Sequence, residues 1–403
     1  MFIRQLGCKA YIDFPGAIHT RFSHALGTMS LASRMVDMLQ KKMARNIAIV
    51  QNLKSNKDNI MAAGFLHDIG HGPFSHVIDF VLKRVKGQDH EELGEEIVRS
   101  AVPNEIESWG ISKNTVVQLI RKAKGGYRFL SQIINGPIDA DKLDYLLRDA
   151  HHVGYKYSFD LDHFLRSYTV IVEEQNMAKC ALGLEPSREA RGTAELFVMI
   201  WKGMYDLVYH SEKSRIAEKM LEKALLLSKD DEAIKDAFDM TQYLELNDEK
   251  LLSRLGKVTH PDVKPLVAIE DTKRLYKLSF EKELQEPDFH MTTEFLGALT
   301  KDADGLSDSL SCKLNDSLSL EPYTLICDIV TSKAPEEIPL DEKDEDGVSI
   351  QLSDRSKVVA AITPTSVLKI YVKPDRTKAL KMDDLQHKLK ELAEGPFDFV
   401  TAE

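Results

Sequence analysis

The stretch Gly64-Phe65-Leu66-His67-Asp68-Ile69-Gly70-His71-Gly72-Pro73-Phe74-Ser75-His76 decides how the chain is read. The run before it, Met61 to Leu66, is apolar, and it delivers His67 and Asp68 into a buried setting between Gly64 and Gly70. Buried ionisable groups are costly unless they pair or bind a metal. The pair alone would also suit a helix cap. Two further segments favour the metal: Arg21-Phe22-Ser23-His24, and the acidic helix Asp139 to Asp149 with Asp141 near its start. His24, His67, Asp68 and Asp141 together give two imidazoles and two carboxylates. That donor set suits a divalent ion that keeps open positions for water and a phosphate oxygen. Fe, Mn, Mg and Zn all fit it, so the pattern implies a metal-dependent phosphohydrolase.

A second group of histidines follows the dyad. His71 and His76 lie on the turn and the helix after it, and Asp79 is one turn beyond His76. His90 opens another helix. A carboxylate beside an imidazole raises its pKa and fixes its tautomer. A histidine so placed can protonate a leaving oxygen or hold phosphate charge. On the third segment Asp141, Asp144/Tyr145 and Arg148 share one helix face. Arg21, one turn before His24, and Lys142, next to Asp141, are natural phosphate clamps.

The surrounding composition is that of a globular protein. The 403 residues are 43% hydrophobic and 29% charged, enough for a large core and two or three subdomains. No segment approaches the roughly 20 apolar residues of a membrane helix, and Met1 to Gly16 has no apolar signal region. Cys8, Cys180, Cys312 and Cys327 are scattered, which implies a reduced, cytoplasmic setting. A net charge of −11 disfavours nucleic acid as a partner, since duplex binding needs a basic face.

Periodicity gives helices over 20–43, 61–83 with a break at His71 to His76, 91–98, 113–124, 141–148 and 194–227. A hairpin is expected at Ser167 to Leu184 around a Gln-Asn turn. Later, YTLICDIV (323–330), DGVSIQL (346–352), KVVAAI (357–362) and VLKIYVKP (367–374) read as strands. The run from Glu336 to Asp346, with seven acids and one Lys, reads as a solvated loop, and 378–394 as a final amphipathic helix. The fold class is mainly α, with a smaller α+β C-terminal lobe. The expected divisions are a helical core over 1–230, a helical extension over 231–320 and the lobe over 321–403.

The segments RFSHALG, HDIGHGPFSH, DADKLDYLLRDAHHVG and MYDLVYHSEKSR resemble the HD-domain deoxynucleoside triphosphate triphosphohydrolases. The resemblance is strong from Gln5 to about Tyr209 and looser through the β-rich region. It implies a helical HD core and cleavage of a dNTP to deoxynucleoside and inorganic triphosphate. It also implies a homo-oligomer, tetramer or hexamer, with a dNTP as activator. It implies His24, His67, Asp68 and Asp141 as metal ligands, and phosphate contacts at Arg21 and Lys142. His71, His76 and His90 match catalytic histidines, with Asp79 partnering His90 or His76. Gln5, Leu6, Tyr145 and Asp149 match residues around the deoxyribose, and Tyr209 closes the sugar pocket against a 2′-hydroxyl.

The chain departs from that pattern in three places. The family carries a segment upstream of the Gln-Leu-Gly element, with arginines for regulatory nucleotides, whereas this sequence opens at MFIRQLG. Trp201 stands where an Arg is expected, with Lys202 beside it, so the γ-phosphate clamp is altered or is served by Lys202. His210 follows the pocket tyrosine, so base preference does not carry over. Two other readings stay open: an HD-superfamily phosphohydrolase for a monophosphate, (p)ppGpp or a cyclic nucleotide, and a nucleotide sensor or single-strand binder without turnover.

Overall fold

The computed structural model describes residues 3–122, 127–172, 176–267, 269, 271–285, 290–378 and 380–395. Its first half is helical, and each helix start has a local cause. After the short α1 (Lys9–Ile12), α2 (Arg21–Lys42) begins where Thr20 and Ser23 form a reciprocal capping box. Asn46 caps α3 (Ile47–Leu66). This helix starts earlier than the expected 61, because Ile49, Leu53 and Ile60 already hold its buried face. The turn 67–75 leads into α4 (His76–Lys86), which stops at Gly87 with a φ of 66°. A second capping box, Asp89 with Glu92, opens α5 (His90–Ser100).

Then follow α6 (Lys113–Ile120), α7 (Arg128–Asn135), α8 (Ala140–Val153) and α9 (Leu161–Ser167). The expected end of the sixth helix, at 123–124, lies outside the described residues. Asp139 caps α8 by accepting from Lys142 N at 2.7 Å. The long helix expected over 194–227 is two. After α10 (Arg188–Met204) comes one wide turn, Tyr205–Tyr209, and after it α11 (Glu212–Leu227). Leu31, Met35 and Leu39 of α2 sit in the main core with Ile49, Leu53 and Ile60 of α3 and Leu143 and Leu146 of α8.

Strands β1 (Tyr168–Ile171) and β2 (Ala181–Leu184) form the expected antiparallel hairpin. Gln175 of its Gln-Asn turn lies outside the described residues.

Beyond α11, the helices α12 (Met240–Glu245), α13 (Asp248–Leu255) and α14 (Val263–Leu266) pack into a second core with α4, α5 and α11. A third core lies under the antiparallel sheet β3-β7-β4, with β3 (Lys277–Glu283), β4 (Leu325–Thr331) and β7 (Ser366–Val372). Helices α15 (Thr293–Lys301), α16 (Ala303–Ser317) and α19 (Met382–Glu394) cover it. Between β4 and β7 the chain returns to the first core. There β5 (Pro339–Lys343) pairs in parallel with β2 through Leu184 and Leu340, and β6 (Ser349–Gln351) closes a sheet of order β1-β2-β5-β6. The acidic run is therefore not all loop.

Two short helices follow, α17 (Leu352–Arg355) and α18 (Lys357–Ala360). The second replaces the strand expected at KVVAAI. Ser356 Oγ accepts from Val359 N at 3.2 Å, and this cap turns the segment helical against its β-branched composition.

Charged residues of α11 pack inward against the third core. Arg215 meets Asp328 at 2.5 and 3.0 Å, Lys219 meets Asp304 at 2.6 Å, and Lys223 pairs with Asp308, which also receives Arg84 at 2.6 Å. Among the described residues, no helix is long and apolar enough to cross a membrane.

Candidate metal centre

Three elements deliver the ligands to one point. His24 comes from the second turn of α2, His67 and Asp68 from the end of α3, and Asp141 from the first turn of α8. His24 Nε2 lies 3.0 Å from Asp141 Oδ1 and 3.3 Å from His67 Nε2. His67 Nε2 is 3.4 Å from both Asp141 Oδ1 and Asp68 Oδ1, and His24 Nε2 is 3.7 Å from Asp68 Oδ2. Bonds of about 2.1 Å meeting at 90–109° put donor atoms about 3.0–3.4 Å apart. The spacing therefore fits a single bound cation; His24, His67 and Asp68 form a cluster that could hold a divalent metal, with Asp141 beside it.

Each imidazole is oriented by its other nitrogen. His24 Nδ1 bonds Asp144 Oδ2 at 2.8 Å, and His67 Nδ1 donates to Gly64 O at 2.9 Å. Both Nε2 atoms are thus turned inward as donors. Asp144 is in turn gripped by Arg148 through two bonds of 2.8 Å. The electrostatics match. Burial pushes His24 down, but Asp141 and Asp144 outweigh it and lift its pKa to about 10. Burial likewise opposes ionisation of Asp68, yet Arg21, His67 and His71 hold it well below the usual carboxylate range. This negative field is what a cation neutralises.

The second histidine group lies beside the cluster. His90 Nδ1 is 2.7 Å from Asp79 Oδ2, and His90 N donates to Asp79 Oδ1 at 2.7 Å. Asp79 therefore partners His90, not His76. His90 stacks on His71 with ring centres 3.9 Å apart, and His71 Nε2 is 3.6 Å from Asp68. Despite burial, Asp79 raises the His90 pKa. Burial and Arg21 push His71 well down; crowding by neighbouring groups, with Arg21 and Lys9, lowers His76 as well, although its side chain stays exposed. In this group His90 is the imidazole best able to hold a proton.

Arg21 pairs with Asp68 and donates to Ser75 Oγ at 3.0 Å. Ser75 and Phe74 sit at φ values of 48° and 55°, a conformation few side chains adopt. Supports come from outside the motif. Asp248 Oδ1 accepts from Phe74 N at 2.8 Å, and Tyr243 donates to Gly70 O at 2.9 Å. Lys142 Nζ is held by Asp139 and by Gly136 O, each at 2.8 Å, with Glu336 at 3.5 Å.

A tyrosine wall completes the site. The Tyr145 ring is 6.5 Å from His24 and 6.1 Å from Tyr209. Tyr209 donates to Asp149 Oδ2 at 2.8 Å, and the other oxygen of Asp149 meets His19 Nε2 at 2.7 Å. Gln5 N bonds His19 O, and Gln5 Oε1 is buried without a partner among the described residues. Leu6 is buried in the main core. Lys202 pairs with Asp206, and Trp201 packs on Tyr205. His210 lies edge-on to Tyr205, its pKa taken to about 4 by burial, Arg215 and Lys9.

Residues 21–149 match the HD domain family, and 189–387 match the HD-associated region. Among curated relatives it is similar to the uncharacterized protein MJ1154 of Methanocaldococcus jannaschii, at 28% identity over 63% of this chain and 51% of that protein. It is also similar to the human deoxynucleoside triphosphate triphosphohydrolase SAMHD1, at 30% identity over 45% of this chain and 33% of that one. The chain spans about half the length of the first curated relatives it matches. A hypothetical protein from Aquifex aeolicus shares the fold, with a TM-score of 0.69, 23% identity and coverage of 96% of this chain and 91% of that one.

Asp144, Gly64 O, His19, Tyr243 and Asp248 complete the site but were not among the expected site residues. The pairing of Asp144 with His24 was accessible in principle, because Asp144 is one helical turn beyond Asp141. The supports from 243 and 248 have no local signal.

Proposed function

We propose that this HD protein is a metal-dependent phosphohydrolase that cleaves dNTPs to deoxynucleoside and inorganic triphosphate. The observation that carries the reading is the adjacency of the four-ligand cluster to the Tyr145–Tyr209–Asp149 wall. The similarity to a dNTP triphosphohydrolase supports it. A bound divalent ion supplies a Lewis acid and lowers the pKa of water. His90, charged by Asp79 and stacked on His71, is placed to hold the proton that the departing 5′-oxygen takes up. His76, kept neutral, lines that side. Arg21 and Lys142 neutralise phosphate charge once the substrate draws them from Asp68 and Asp139. Lys202 serves the γ-phosphate after release from Asp206.

Tyr209, fixed by Asp149, packs against C2′ and leaves a ribose hydroxyl no partner. An unpaired buried hydroxyl costs about 1–3 kcal/mol, or roughly tenfold to a hundredfold in selectivity. A screen of all four dNTPs with Mg or Mn, singly and mixed, tests the reading. Inorganic triphosphate as product and dGTP turned over at least tenfold faster than GTP are expected. Release of pyrophosphate or orthophosphate, or equal turnover of GTP, would move the substrate elsewhere. The working form is read as a homo-oligomer, tetramer or hexamer, promoted by a dNTP. Light scattering with and without dNTPs checks it.

A further inference from the structure

On the Nδ1 side of His24, away from the ligand cluster, an open cleft of about 340 Å³ runs between α2, α8 and α9. Gly27 and Ser30 line it from α2, Leu161 from α9, and Leu147, Arg148, His151 and His152 from α8. Of these residues only Arg148 touches the metal centre, through Asp144, and none contacts the substrate in the hydrolysis proposed above. The volume falls in the range of small-molecule sites.

The polar groups of this cleft share one character. Arg148 spends Nε and Nη2 on Asp144, and its Nη1 edge has no protein partner among the described residues. His151 is exposed and His152 is half-buried; the His152 ring stacks on His19 with centres 4.1 Å apart, and neither ring has a hydrogen-bond partner among the described residues. The cleft's acid, Asp144, is fully used by His24 and Arg148. Asp162, beside Leu161, is paired with Arg34. What remains unpaired is an array of donors: one guanidinium edge and two imidazoles. Burial, and then His19, His151 and Arg148, hold the His152 pKa low, and Asp149 opposes them. Imidazoles near a helix C-terminus also answer the carbonyl dipole. That role requires neither a free guanidinium edge nor a cleft.

We propose that this cleft binds a small phosphate-bearing molecule. Arg148 Nη1, His151 and His152 hold the oxyanion, and an apolar body rests on Leu147 and Leu161. An arginine fork is the side chain best matched to such an anion. The volume exceeds what an orthophosphate alone would fill, so an ester or phosphonate with an apolar group is the fitting class. The inference stands apart from the hydrolase reading, since Arg148 Nη1, His151 and His152 hold neither the metal nor the substrate there.

Phenylphosphonate, which resists hydrolysis, is the probe. Its binding to the metal-loaded full chain is measured by titration calorimetry. Two variants are compared: the His151→Ala/His152→Ala double substitution, and Ser30→Glu, which places a carboxylate on the exposed rim. Metal content and melting temperature confirm that each variant is folded. The expected result is one binding equivalent more in the wild type than in either variant, with orthophosphate at least threefold weaker at that extra site. Equal stoichiometry in all three proteins would overturn the site. Equal affinity for orthophosphate and phenylphosphonate would overturn the apolar half of the assignment.

Discussion

Asp144 is not a ligand, yet it sets the direction of one. It holds His24 Nδ1 at 2.8 Å and is itself locked by Arg148. Loss of such an orienting carboxylate typically costs 10- to 100-fold in metal affinity or activity. Asp144→Asn should therefore weaken metal binding by roughly that factor. Asp68→Asn, which removes a donor, should leave no stoichiometric metal and no hydrolysis. Metal analysis of the purified variants ranks the two. The pH response belongs to His90 and Asp79. The raised His90 pKa means that its protonated form persists above the usual value and is lost as pH rises through the raised value. Activity should fall on that alkaline limb. Asp79→Asn removes the largest raising influence on His90 and leaves burial opposed only by Asp68 and Glu91, so the limb should move to lower pH. A kcat/KM profile of both proteins shows the shift, and an unmoved limb would remove His90 from the proton role.

At the scale of elements, the close meeting of α2 and α8 is set by a missing side chain. A Cβ on Gly27 would sit 1.9 Å from Asp144 Oδ1 and 2.5 Å from Arg148 Nη2. Gly27→Ala should cost about 1–3 kcal/mol of stability by overpacking and lower the bound metal, both read from denaturant melts and metal content. Ser23→Ala, on the same helix but outside this contact, should leave metal content unchanged. The meeting of His24, His67, Asp68 and Asp141 was legible in the sequence because polar residues inside apolar runs stand out. Helix starts were legible after Thr20, Asp89, Ser112 and Asp139, but not after Asn46 or Ser187, although these cap α3 and α10 in the same way. The Asp79 partner was left between two histidines, since helical spacing offers His76 while the fold brings His90. KVVAAI misled because β-branched composition says nothing about the Ser356 cap. The charges of α11 carry no mark that tells a solvated face from a buried one, and only the docked third core reveals it. Nor did any local signal indicate that β5 pairs with β2.

For the whole molecule, the join between the helical half and the third core is ionic at its centre. Asp328 is fully buried opposite Arg215. Removing one partner of a buried pair leaves an uncompensated charge and costs about 3–5 kcal/mol. Asp328→Ala should lose about that much in urea unfolding. The double variant Asp328→Leu/Arg215→Met should recover much of it, because two apolar groups leave no charge to satisfy.

The parallel pairing of Leu184 with Leu340 also has a consequence in time. At 5–20 residues per second of synthesis, the segment that closes the β2 edge leaves the ribosome about 10–30 s after β2 does. During that interval the nascent chain displays an apolar strand with unpaired backbone groups, the kind of edge that recruits other chains. Ribosome-bound chains stalled at residue 330 should then pellet or bind a holdase, while those stalled far enough past 362 to expose β5 and β6 should not. Fractionation of the two stalled populations would show it. If so, the synthesis rate between the two strands, rather than final stability, sets the yield of this protein.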